Sequence, residues 1–137
     1  MIKTVVSPLR NPSEITLFET QCQEAGQIII HLLLYAKKTN FEANVQSNIY
    51  LQETISGRRS RLHTAINLRV DEDIQINVGN SVRALLIFQG LSKDCTSFSI
   101  YEPVTGRRTP FECKLIHRNE RDVYKLFSID KGPLFIK

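Results

Sequence analysis

The sequence holds no tryptophan, a single methionine and only three cysteines, and none of its apolar runs is long enough to cross a bilayer. The longest, residues 28–36, is interrupted by His31 and falls far short of the ~20 residues a spanning helix requires, so no membrane insertion is expected. The amino terminus lacks the basic start, apolar centre and small-residue cleavage site of a secretory signal. Cys22, Cys95 and Cys113 are odd in number and widely spaced, which suits reduced thiols better than a disulfide framework. Both features lead us to expect a cytoplasmic protein.

Motifs for chemistry are also missing. No Gly-x-Ser-x-Gly, no phosphate-cradling glycine loop and no dinucleotide fingerprint occurs. Cys113 and His117 form the nearest thiol–imidazole pair, but on one strand they would stand ~13 Å apart, too far for proton transfer. They read as a core cysteine and a surface histidine. His31 has no second ligand at metal spacing, and Cys22 and Cys95 have none either, so no metal and no cofactor is expected. Asp71, Glu72 and Asp73 form the densest acidic cluster. Strand alternation would turn Glu72 away from its neighbours, and the glycine turn and closing glutamate of a calcium loop are lacking. They read as a solvated strand entry. An enzyme is not expected.

What the chain does have is short strand-like runs cut by turn formers: Gly26, Gly57, Gly79, Gly90, Pro103, Gly106, Pro110 and Gly132. Leu62, Thr64, Ile66 and Leu68 alternate with more polar neighbours, as do Ile74, Ile76 and Val78, and Phe98 and Ile100. Residues 82–88 are apolar on both faces, which predicts an interior strand or one whose outer face is covered. Further strands are expected at 48–54, 111–117 and 122–129. Residues 13–36 read two ways. Ser13 could cap a helix through Ile15, Phe18, Cys22 and Ala25, but Gly26 would then weaken it by about 1 kcal/mol, so two strands meeting near Gly26 are preferred. The 137 residues suit one domain, 1–137, of all-β class.

The net charge of +4 is local. Removing Arg58, Arg59, Arg61, Arg107 and Arg108 from the 18 basic residues leaves 13 against 14 acidic ones. Four of them sit in two echoing segments, Ser56-Gly57-Arg58-Arg59 and Thr105-Gly106-Arg107-Arg108, each between strand candidates, and Arg61 follows just after the first. A hairpin loop with a positive-φ glycine would present both arginine pairs to solvent, where guanidinium groups take carboxylate or phosphate bidentately. These five are the candidate partner-binding residues. The apolar end, Leu134, Phe135 and Ile136, must dock as a last edge strand or meet another subunit, which leaves a homo-oligomer open.

The stretch Asn48-Ile49-Tyr50-Leu51, then Ser56-Gly57, Leu62 and Ala65 to Leu68, resembles the middle of immunoglobulin-like accessory domains of many uncharacterised bacterial proteins. Leu86 to Asp94 and Phe98 to Pro103 are similar to their late strand pair, so the resemblance covers roughly residues 27 to 103. It implies an antiparallel immunoglobulin-like β-sandwich used for adhesion, assembly or ligand presentation, from which this sequence departs in its last 30 or so residues by adding C-terminal strands. The expected function is a non-catalytic protein-interaction or assembly module of a larger bacterial complex. The alternative is a nucleic-acid-binding domain touching phosphates through its arginine tips; only Tyr101 and Phe111 stand near them for base stacking.

Overall fold

The structure, a computed structural model, describes residues 3–5, 12–104 and 109–137. The elements in chain order are β1 (Lys3–Val5), α1 (Pro12–Glu24), β2 (Ile28–Tyr35), β3 (Phe41–Ala43), β4 (Tyr50–Glu53) and β5 (Arg59–Ile66). They continue with β6 (Ile74–Ile76), β7 (Ser81–Phe88), β8 (Ser97–Tyr101), β9 (Glu112–His117), β10 (Val123–Ile129) and β11 (Phe135–Ile136). The chain is mostly β, and its large mixed sheet nearly closes into a barrel. The order runs β11-β10-β2-β7-β5-β4-β8-β9, with β1 added alongside β5, while β3 and β6 form a separate pair.

The period-2 pattern sorts side chains into an inside and an outside. Ile30, Leu32 and Leu34 of β2, Ala84, Leu86 and Phe88 of β7, Phe98 and Ile100 of β8, and Tyr124 and Leu126 of β10 share the main core. Near the sheet's two ends, Phe98 and Tyr124 meet edge to face, ring centroids 5.0 Å apart. The alternate residues Ile29, Leu85 and Ile87 point outward, where Phe18 and Cys22 of α1 cover them in a second small cluster. That cover explains why β7 is apolar on both faces.

The preference for two strands within residues 13–36 is corrected: the first half is helix. Gly26 does not lie in mid-helix but just beyond its end, at φ +71°. Gly26 N–H donates to the Gln23 carbonyl at 3.0 Å and Gln27 N–H to that of Cys22 at 2.9 Å, the paired bonds of a glycine-closed helix terminus. Gly90 packs against this turn so closely that a Cβ there would stand 2.5 Å from the Gly26 carbonyl oxygen. Gly90→Ala is therefore expected to push the helix terminus off the sheet and destabilise by about 1–3 kcal/mol, read as a fall in urea midpoint at constant slope.

Two further expectations shift. The sheet is mixed, because β10 runs parallel to β2 and β1 parallel to β5, whereas an immunoglobulin-like sandwich would be antiparallel. And β5 does not alternate regularly. A register irregularity between Leu62 and Thr64 puts Leu62 and Ala65 inside and Ile66 outside, beneath the helix.

Candidate functional site

The turn joining β4 to β5 closes with Gly57 at φ +72°, as a tight loop requires, and with Glu53 N–H donating to the Arg58 carbonyl at 2.9 Å. The expected arginine tip is not there. Ile55 occupies the tip and is 91% exposed. Arg58 instead folds back, its Nη1 donating to Ser92 Oγ at 3.1 Å. Beneath it lies Glu53, only 4% exposed, whose carboxylate accepts from Ser92 N–H, Ser92 Oγ and Ser56 Oγ, each at 2.9 Å. Burial pushes this carboxyl up, but the three donors and the nearby Arg58 outweigh it and hold the group below the usual range. With a depressed folded value, its contribution to stability is present above the ordinary carboxylate value and is lost as pH falls through the lowered one. Arg58 is thus part of the brace that fixes this turn.

Arg59 and Arg61 lie on β5 itself and face outward. Register places Arg61 opposite Tyr50 and Arg59 opposite Gln52, and beyond them Tyr50 faces Tyr101 and Gln52 faces Ser99. The Arg59 guanidinium rests 4.3 Å from the centroid of the Tyr50 ring, and the Tyr50 and Tyr101 rings are tilted together at 5.8 Å. The outcome is an exposed sheet surface with two arginines, two half-buried tyrosines and small polar groups between. No family model, no curated protein and no solved structure matches this chain. The face must therefore be read from its own chemistry. Cation and ring together offer flat apolar area, guanidinium forks and phenol groups. Arg107 and Arg108 lie outside the described residues.

The remaining candidates are dispersed. Cys113 is buried and points into the core while His117 is exposed. Burial pushes the thiols of Cys22, Cys95 and Cys113 all upward, which leaves each protonated and a poor nucleophile near neutral pH. The acidic cluster is divided among separate partners: Asp71 accepts from Ser47 N–H at 2.9 Å, Glu72 pairs with Arg69 at 2.8 Å, and Asp73 accepts from Asn44 Nδ2 at 2.5 Å. Among the described residues, no three His, Cys, Asp or Glu side chains gather to hold a metal ion, and no helix is long and apolar enough to cross a membrane. The C-terminal apolar residues dock as the edge strand β11, with the Phe135 ring tilted against Phe127, centroids 5.5 Å apart. Sequence reasoning missed Tyr50 as a site residue. The signal was its odd-numbered spacing from Leu51, which turns it outward beside the arginines.

Proposed function

We propose that this chain is a non-catalytic protein-interaction or assembly module that captures its partner on the outer face of β5, β4 and β8. The observation that carries this reading is the arrangement of Arg59, Arg61, Tyr50 and Tyr101 on one open stretch of sheet. Tyrosine and arginine supply most of the binding energy at protein interfaces, because each combines broad contact area with directed polar groups. The fully exposed Ile55 extends the surface at one end with an apolar anchor. The three free cysteines fit a reducing, cytoplasmic setting for the larger bacterial complex.

The test is charge reversal. Arg59→Glu with Arg61→Glu is expected to weaken partner capture from the native host at least about tenfold, on the order of 1.4 kcal/mol, with only a small fall in melting temperature from loss of the exposed Arg59–Tyr50 contact. Undiminished capture would remove the face from the account. The aromatic and cationic pairing favours one rival, single-stranded nucleic acid stacked on Tyr50 and Tyr101. Fluorescence anisotropy with a labelled oligonucleotide separates the two, since phosphate contacts give binding that falls steeply with salt.

A further inference from the structure

A cleft that shares no residue with the tyrosine–arginine face lies between the flank of α1 and the outer face of β2, β7 and β10. This cleft has a volume of about 480 Å³, within the range of small-molecule sites. Its wall is built by pairing that no local sequence pattern announces. Parallel register sets Lys125 beside His31, and antiparallel register sets Arg83 beside Leu33. Arg121 enters from the turn before β10, and Lys137 from beyond β11. Four basic side chains therefore border the cleft, against the carboxylate of Glu19 of α1 and the α-carboxylate of Lys137. Glu19 is already engaged, 3.6 Å from His31 Nε2 and 3.9 Å from Arg121. Arg83, Lys125 and Lys137 make no ion pair with any described carboxylate. The cleft is also lined by apolar side chains, Leu33, Leu85, Val123 and Ile15. At its wall, His31 Nε2 is buried and faces the Glu19 carboxylate at 3.6 Å, just beyond hydrogen-bond length.

We propose that this cleft is a binding site for an amphipathic organic anion, whose carboxylate or phosphate head meets Arg83, Lys125 and Lys137 while its apolar body lies over Leu33 and Leu85. Excess positive charge beside an apolar floor selects that combination and disfavours neutral or cationic analogues. The site is independent of the tyrosine–arginine face. His31 reports on its occupancy. Burial lowers the imidazole, Glu19 of α1 raises it, and Lys125 and Arg121 lower it again. Arg83 borders the same cleft from β7. A bound anion offsets those cations, so the His31 titration midpoint rises on binding, and by linkage affinity grows as pH falls through that titration.

The test is an NMR titration of the intact chain with sodium octanoate and with octyl phosphate, using octanol and octylammonium as controls. Saturable one-to-one shifts are expected at the amides of Leu33, Arg83 and Lys125, together with an upward move of the His31 midpoint. Arg83→Gln with Lys125→Gln should weaken binding at least about tenfold, whereas Arg59→Glu with Arg61→Glu should leave it unchanged. The head group that binds tighter identifies the ligand as carboxylate or phosphate. Equal binding of octanol, shifts confined to other surfaces, or undiminished affinity in the Arg83/Lys125 variant would each overturn the proposal.

Discussion

Replacing Phe98 by alanine is expected to destabilise the protein by about 3–5 kcal/mol, the range for emptying a fully buried aromatic site. Phe98 is wholly buried on β8 and touches Tyr124 on β10, so its ring links strands near opposite ends of the sheet across the interior. A 137-residue domain has a total stability on the order of 5–15 kcal/mol, and the variant would lose a large part of it. Urea unfolding followed by circular dichroism reads the effect. Phe98→Leu, which keeps most of the volume, should fall well short of the alanine value. If alanine and leucine prove equally mild, the ring does not span the interior as described.

Arg118→Met is expected to have the next largest effect, about 2–4 kcal/mol. The Arg118 guanidinium donates from Nε and Nη2 to the two oxygens of Asp122, at 3.0 and 3.1 Å. Its Nη1 donates to the carbonyls of Ser92 at 2.6 Å and Cys95 at 3.3 Å. One side chain thus ties the loop between β7 and β8 to the turn between β9 and β10, with only about a fifth of its surface exposed. Methionine fills similar space but leaves the Cys95 carbonyl without its donor, the Ser92 carbonyl with only Cys95 N–H and Asp122 with only the Tyr124 hydroxyl. A double-mutant cycle with Asp122→Asn should return a coupling energy of about 1–3 kcal/mol. Additive losses would mean that the two side chains act separately.

The local elements were legible where a two-residue period and a turn residue agree. The strands at 97–101, 112–117 and 123–129 fall within the stretches that alternation and turn residues mark out, those at 59–66 and 81–88 begin three residues and one residue earlier than expected, and the doubly apolar pattern of 82–88 anticipates the cover that α1 supplies. The helix was misjudged through Gly26, because a glycine weakens a helix from inside and closes it from just outside, and composition alone does not say which. Long-range pairing was hidden for a different reason. That β2 lies between β7 and β10 depends on contacts some 50 and 95 residues away in the chain, with nothing local to mark them. Whether the sheets stack or curl toward closure depends on those same pairings. The candidate site was half legible. Arg58, Arg59 and Arg61 mark the region of the candidate face, but the turn is tight enough to place Arg59 and Arg61 within β5 and leave Ile55 at the tip. The cleft beside α1 could not be read at all, since Lys125 and His31 become neighbours only through parallel pairing.

A photo-reactive amino acid placed at Gln52, between Arg59 and Ser99 on the open face, tests the central claim most directly. Irradiation in the native host should give a discrete protein adduct at Gln52 and none from the same group at Val78, which is exposed after β6 on the separate small sheet. The adduct should disappear when Arg59 and Arg61 are reversed in charge. Adducts with nucleic acid, or equal labelling from both positions, would contradict a protein-binding face built on Tyr50, Arg59, Arg61 and Tyr101.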